Sequence, residues 1–581
     1  MLRKISSRKK KKLRIRLHLV SRLDKSRSTG LQYRIMLRRT ISRQRQRRFV
    51  YSALLGTTIV GGIEYDRRIC YARATRNLRS FYAAIWTLYE YKINWHRAKT
   101  PLEKSQVHDR VAKRWYDVCC KNGGLYIKLG QSVTTLNHVL PPEYLKYFQH
   151  LHDQAPQADY EEVRRIFRED LGVDIEDDER FQSFEPIALA SASIAQVHKA
   201  VLRNGDVVAV KVQKPWIRKQ LPFDLGCYRI LVYALEKAFD LPMYWTTGTV
   251  CSVISNEADF VVEAANAKRA ANEWNKSEEW RGKVYVPKVY DHLTTGRVLT
   301  QEWIDGIKIN ELGALESAGF RRREVAQRMI GMFADQIFAT GFIHGDPHPG
   351  NLLVRREPSS GDMQMVCLDH GMYQEFSATF RRAYSELWVA ICTGDSETME
   401  RICDEWAVGD SELFATLQML KPYNAKKSSQ HTKSTSRADI LAHTLEMRQH
   451  GFERVRKMLK DTSQVPQEFV FLGRQMNIVR ANNAAMGSPA NRTRILANHA
   501  AKQVAQWNGL FSYVLFSVRM FLLDVAFGFV QWRRRMSQWI GLESDNFEQI
   551  LEQRLADALA EKTGIILNIR PGETWEDVCG A

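Results

Sequence analysis

Disulfide chemistry has little to work with in this 581-residue chain, whose nine cysteines are scattered apart from the adjacent Cys119 and Cys120. No Cys-x-x-Cys or Cys/His cluster has metal-ligand spacing, the thiols read as reduced core or surface groups, and a disulfide framework is not supported. Hydrophobic runs of bilayer length are also missing. The stretch from Phe49 to Ile63 has fifteen residues, short of the ~20 that a helix usually needs to cross hydrocarbon. A second stretch, Gly509 to Trp532, is broken near its middle by Arg519 and Asp524, charges that are costly in a bilayer. Acids are nearly absent from residues 1–48, which hold nineteen Lys or Arg and the single acid Asp24 and so carry +18 of the formal +20. The rest of the chain has 66 basic and 64 acidic residues, a net of +2. With the excess confined to one arm, nothing supports a basic nucleic-acid-binding face.

An Arg- and Ser-rich, acid-poor arm has the composition of an import segment. Residues 1–48 are therefore expected to target the chain to mitochondria, and 49–63 are a candidate inner-membrane anchor, able to cross if flanking residues snorkel. The competing reading is a basic tail or nuclear signal followed by a core helix. At the other end, 501–581 reads as a helical region. Its apolar stretch suits either an amphipathic helix on a membrane, with Trp532 to Arg535 and Trp539 at the headgroups, or a helix packed on the preceding domain.

The chemistry concentrates elsewhere. His344-Gly345-Asp346-Pro347-His348-Pro349-Gly350-Asn351, followed by Val366-Cys367-Leu368-Asp369-His370-Gly371, has the spacing of a phosphoryl-transfer centre. There one carboxylate, Asp346, orients the nucleophile, and two hard oxygen ligands, Asn351 and Asp369, hold Mg²⁺ on the nucleotide phosphates. Leu352 to Val354 and Met363 to Leu368 read as strands joined by a Ser-Gly turn, which returns Asp369 to the side of Asn351. His344 and His348 could be taken for a zinc pair, but that spacing needs a helix, and Pro347 and Pro349 forbid one.

Upstream, Val207-Val208-Ala209-Val210-Lys211-Val212-Gln213 is a strand whose Lys211 would reach the α and β phosphates. A hinge-like segment, Thr300 to Gly306, separates it from Asp346. Such a lysine needs a carboxylate partner, and Glu257, opening an expected helix from Glu257 to Asn272, is the candidate. On that helix Asp259, Glu263 and Asn266 share a face, a pattern more often solvated than functional. The phosphate-covering segment lacks glycine: Ala190-Ser191-Ala192-Ser193 leads into Ile194 to His198, and alanines restrict the close backbone approach that glycines permit. Close packing of a loop on a helix is the alternative. Further upstream, Lys128 and Gln131 fall three apart on an amphipathic helix, and Gly130, costly within a helix by about 1 kcal/mol, suggests a close contact.

Lys128-x-Gly130-Gln131, the Ala190 to His198 loop, Lys211, Glu257-x-Asp259 and Asp346/Asn351 with Asp369 occur in the order of the UbiB/ADCK (aarF-domain-containing) atypical kinases, which this chain resembles over roughly residues 105–500. The resemblance implies an α+β, bilobal protein-kinase-like fold. Residues 105–160 would form a helical extension carrying the Lys-x-Gly-Gln motif, 161–306 a small lobe and 307–500 a large lobe. It implies ATP or ADP and Mg²⁺ as cofactors, Asp346, Lys211 and Glu257 as catalytic residues, and Asn351 and Asp369 as metal ligands. It further implies that the Lys128 helix covers the place of a peptide substrate. No Ala-Pro-Glu segment follows Asp369, and His370 replaces the usual Phe of Asp-Phe-Gly.

The expected function is an atypical kinase or ATPase acting on a lipid or isoprenoid-like molecule in mitochondrial lipid or coenzyme Q homeostasis. Two alternatives stand beside it. One is a nucleotide-sensing pseudokinase that regulates partners, and the other a soluble small-molecule kinase of the aminoglycoside and choline kinase kind.

Overall fold

The computed structural model describes residues 61–62, 64–66, 71–134, 141–152, 157–240, 243–408 and 465–508, with isolated positions at 411, 414, 415, 418 and 532. The basic arm 1–48, most of the 49–63 run, the Asn424 to Arg437 break and nearly all of 501–581 beyond Asn508 lie outside the described residues. Among the described residues no helix is long and apolar enough to cross a membrane. Residues 1–75 form a unit distinct from 76–581. Within it the Asp66 carboxylate accepts hydrogen bonds from the Ala74 and Thr75 amides.

The larger unit begins along helix α1, Arg73–Tyr89, whose helical path continues through Glu90–Asn94 and Trp95–Arg97. Helix α2, Pro101–Asn122, starts at a reciprocal Thr100/Glu103 cap with proline in the first turn, where its missing N–H costs nothing. It stops at Gly123 and Gly124, both in the left-handed region (φ 65° and 51°), and the chain re-enters helix α3, Leu125–Thr134. A buried cluster of Val118, Tyr126, Ile127, Phe148 and Leu151 fastens α3 to its neighbours.

The small lobe is an antiparallel sheet in the order β1 (Phe181–Phe184), β3 (Ala195–Leu202), β4 (Val207–Gln213), β6 (Val298–Glu302), with β2 (Ala190–Ser191) paired to β3. Period-two alternation decides its faces. Val208, Val210 and Val212 of β4 pack with Val163, Ile166 and Phe167 of helix Tyr160–Leu171, so Lys211 lies on the opposite face. The segment from Pro215 onward is helix α4, Ile217–Phe239, which accommodates Pro222 within it.

One expected helix is two. Helix α5, Thr247–Glu257, ends at Glu257, and helix α6, Phe260–Lys276, begins after Asp259, whose side chain accepts from the Val261 amide as an N-cap. Glu257 and Glu263 therefore sit on different helices. In the large lobe, β9 (Leu352–Arg356) and β10 (Met363–Cys367) form the expected hairpin. β10 is flanked on its other side by β5 (Val284–Tyr285), in parallel, and β9 by β7 (Ile307–Lys308). Helices α7 (Arg322–Asp335), α8 (Ala378–Thr393), α9 (Glu468–Ala485) and α10 (Arg492–Asn508) enclose two apolar clusters beneath these strands.

Candidate active site

Two ionic chains meet in the cleft. In the first, Lys211 Nζ reaches both oxygens of Glu263 at 2.8 and 2.9 Å and Asp369 Oδ2 at 3.5 Å. The Phe260 ring lies 5.2 Å from the ammonium. Burial disfavours the Lys211 charge, but the Asp369 and Glu263 carboxylates outweigh it and hold the ammonium protonated. This corrects the expected partner: Glu263, not Glu257, braces Lys211. The face of Asp259, Glu263 and Asn266 is not a solvated stripe either, since Glu263 is 2% exposed and Asn266 donates to the carbonyl of His370 at 3.1 Å.

In the second chain, Lys128 Nζ bridges Glu257 Oε1 and Asp346 Oδ2, each at 2.9 Å. Arg474 of α9 grips the other oxygen of Asp346 at 3.1 Å and donates to the Gly345 carbonyl at 3.0 Å. Burial pushes the Asp346 carboxyl up, yet Lys128 and Arg474 overcome it and hold it well below the usual carboxylate range. The same helix supplies Asn482, whose amide donates to the Pro347 carbonyl at 2.9 Å. Neither Arg474 nor Asn482 was legible from the sequence, because both lie in a C-terminal helix with no motif around them and make these contacts only once it packs behind the Asp346 loop.

The Asp346 loop is tied to the Asp369 loop through His344. Its Nδ1 accepts from the Asp346 amide at 3.0 Å, so Nε2 carries the proton and donates to the Asp369 carbonyl at 2.8 Å. Burial lowers its pKa and keeps it neutral. With both ring nitrogens engaged by backbone groups, His344 clamps the two loops together. His370 is likewise engaged: Nε2 donates to the Cys367 carbonyl at 3.1 Å, Nδ1 faces the Tyr373 hydroxyl at 3.0 Å, and its ring stacks on Tyr373. Burial pushes it down to about 3.

Hairpin register places the metal-ligand candidates. Leu352 pairs with Cys367, and the Leu368 amide donates to the Asn351 carbonyl at 2.9 Å, so Asn351 and Asp369 flank one corner. Burial raises the Asp369 carboxyl, but Lys211 and Lys128 pull it far below the ordinary range, leaving it ionised. One carboxylate and one amide oxygen fit Mg²⁺, which binds through few protein ligands and completes its shell with water and phosphate oxygens. Gly371 closes the corner: a Cβ there would press on Asp369 Oδ1 at 3.2 Å and Glu257 Cγ at 3.3 Å.

The alanine loop is fastened rather than open. β2 and β3 reverse over Ser193-Ile194, with the Ala192 amide donating to the Ala195 carbonyl at 2.8 Å. Lys214, buried just after β4, donates its ammonium to the Ala192 carbonyl at 2.5 Å, and burial lowers its pKa to about 8. Its role could not be read from a strand-end lysine alone. Gln131 points away from Lys128's partners and donates to the Leu151 carbonyl at 3.4 Å. Gly130 does make a close approach, for a Cβ would collide with Leu151 and press on Cys119 Sγ at 3.2 Å and Phe148 at 3.3 Å. Gly130→Val is therefore expected to cost about 1–3 kcal/mol by overpacking, readable as a lower Cm in urea unfolding.

A family model described as the ABC1 atypical kinase-like domain matches residues 150–403. The ABC1 family protein C10F6.14c of Schizosaccharomyces pombe is 36% identical over 463 residues, covering 79% of this chain and 84% of that protein. The chain belongs to the ABC1 family of atypical kinases. Its ABC1 relatives include lscO of Purpureocillium lilacinum, 31% identical with 89% and 91% of the two chains covered, and AarF domain-containing protein kinase 1 of Gallus gallus, 33% identical with 68% and 74% covered. Within this ABC1 chain the Lys211–Glu263 pair, the Asp346 loop and the Asn351/Asp369 corner together constitute a kinase-like cleft.

Proposed function

We propose that this protein binds Mg-nucleotide and hydrolyses ATP or transfers its phosphoryl group to a small lipid or isoprenoid-like acceptor rather than to a protein. The reading rests on one observation: both oxygens of the catalytic Asp346 are engaged from within the chain, by Lys128 and Arg474, while the nucleotide-side pair Lys211–Glu263 is fully formed. A bulky peptide hydroxyl would have to displace the Lys128 helix. A water or slender alcohol need only share the remaining acceptor capacity of Asp346.

In this reading Lys211, oriented by Glu263, neutralises the nucleotide phosphates, and the ionised Asp346 accepts a hydrogen bond from the attacking hydroxyl and orients it. Asn351 and Asp369 would hold Mg²⁺, which supplies charge neutralisation on the phosphates. The basic arm and apolar run support a mitochondrial, inner-membrane-associated location and a role in lipid or coenzyme Q homeostasis. A second reading, the nucleotide-sensing regulator, draws on the same clamp on Asp346.

The deciding experiment measures Mg²⁺-dependent ATP turnover and nucleotide binding by the full chain. Turnover above background supports the enzyme; binding without turnover favours the regulator; absence of both overturns the two together. Among active-site variants, Glu263→Gln is expected to lower turnover about ten- to hundredfold, because it removes a charge-assisted contact of about 1.5–3 kcal/mol from Lys211. Glu257→Gln, which leaves that pair intact, should cost less; the reverse order would refute the pairing.

A further inference from the structure

Helix α1 turns most of its large apolar side chains outward, apart from Phe81, which packs against Cys227 and Leu231. From Arg76 onward the residues it buries are Arg76, Ser80, Ala83, Ala84 and Thr87, none of them a large apolar side chain. The polar ones are satisfied: Arg76 pairs with buried Asp224, Asn122 donates to Ser80 Oγ at 3.2 Å, and Trp115 Nε1 donates to Thr87 Oγ1 at 2.9 Å. The face turned outward carries Leu78, Tyr82, Ile85, Trp86, Tyr89 and Ile93, of which the least exposed is 36% and the first three are at least 60% exposed. A helix facing water on that side would show the opposite pattern. Alongside it runs α4, where Arg76 meets Asp224 at one end and Tyr91 meets Phe239 at the other, with ring centroids 6.0 Å apart. That helix also exposes Ile230 and Tyr233.

We infer that the outer face of α1 lies in the interface of an anionic lipid bilayer, an assignment that rests on the membrane association proposed above and identifies the surface responsible. Three features select lipid over another occupant. Tyr82, Trp86 and Tyr89 pack edge to face along the stripe, and Tyr and Trp favour the headgroup level, where an apolar body meets a polar edge. Along the segment itself the exposed charge has one sign: Lys92, Arg97 and Lys99 are exposed, and the only acid between Arg76 and Lys99, Glu90, is buried and paired with Arg110 at 2.7 Å, while the neighbouring Glu103 carboxylate caps the Lys99 amide. Such a face suits anionic headgroups, and a two-fold pairing with a second copy would bring like charges together. The stripe from Leu78 to Ile93 extends about 22 Å at 1.5 Å per residue, long enough to lie flat and too short to span.

The test uses the full chain with vesicles of phosphatidylcholine and phosphatidylglycerol doped with a diazirine-acyl phosphatidylcholine, followed by flotation, irradiation and mass mapping of cross-linked peptides. Cross-links within residues 78–93 are expected. In Leu78→Asp/Ile85→Asp, altered at positions 68% and 66% exposed, those cross-links fall by about tenfold or more, with the urea-unfolding midpoint unchanged. Flotation with cross-links confined to other segments overturns this face while leaving membrane association standing. Failure to float removes both. A concentration-dependent dimer that the double variant dissolves, with no cross-links in 78–93, assigns the face to a second copy and overturns the lipid inference. ATP turnover without vesicles is measured in parallel, so that loss of the enzyme reading is separated from loss of the docking face.

Discussion

Asp369→Asn is expected to reduce Mg²⁺-dependent ATP turnover by about 10²–10³-fold, the usual scale for losing one preorganised electrostatic contact to a transferring group. The substitution is nearly isosteric, so the Gly371 amide can still be accepted at the position of Oδ1, now 2.9 Å away. What disappears is the negative charge beside Lys211 at 3.5 Å and the anionic ligand for Mg²⁺. Two readouts separate these effects. If Asp369 acts through the metal, raising Mg²⁺ partly restores turnover in the variant. If turnover is unaffected at any Mg²⁺ concentration, the phosphoryl-transfer reading of this corner is wrong. Folding should survive, since His344 contacts the backbone carbonyl of Asp369 rather than its side chain.

Lys128→Met should have the largest effect on stability. Its ammonium is shared between two carboxylates that are 11% and 16% exposed, and removing one member of a buried ionic group typically costs 3–5 kcal/mol. Glu257 suffers most, because Oε2 already has no hydrogen-bond partner among the described residues and Oε1 would lose Lys128. Asp346 keeps Arg474. The pH dependence follows from the direction of the Asp346 shift. A depressed folded pKa contributes stability that is complete above the unfolded value, near 3.9, and is lost as pH falls through the folded value. The variant moves the folded value back up, so its deficit against the native protein is expected to be largest near neutrality and to narrow below about pH 4. Urea unfolding at pH 7 and pH 3 measures it, and an equal deficit at both would show that Lys128 acts by packing alone.

The comparison of Glu257 with Glu263 shows where sequence reading stopped. Both are acids shortly after Lys211, and a motif alone favours the first. The tertiary fold reverses the choice because the chain breaks at Ala258-Asp259, putting Glu257 at the end of one helix and Glu263 one turn into the next, directly opposite β4. The break had a local signal, an aspartate in N-cap position two residues after Glu257. It became decisive only with the Gln213 amide donating to the Ala258 carbonyl at 2.7 Å, which holds the kink against the sheet.

What the sequence by itself determined is the chemistry and the local geometry. The spacing of Asp346, Asn351 and Asp369, the alternation that turns Lys211 away from its valine neighbours, the β9–β10 hairpin and the tight contact at Gly130 all follow from short-range rules of period, turn and steric size. What only the tertiary structure decided is which charge answers which: Lys128 to Glu257 and Asp346, Lys211 to Glu263, Arg474 to Asp346 from more than a hundred residues downstream. The same holds for α1, whose Leu78, Tyr82 and Ile85 turn outward. Its inner neighbours Asp224, Asn122 and Trp115 offer polar groups that Arg76, Ser80 and Thr87 satisfy. Periodicity fixes that a helix has two faces; which face is buried depends on the partners that long-range packing brings to it.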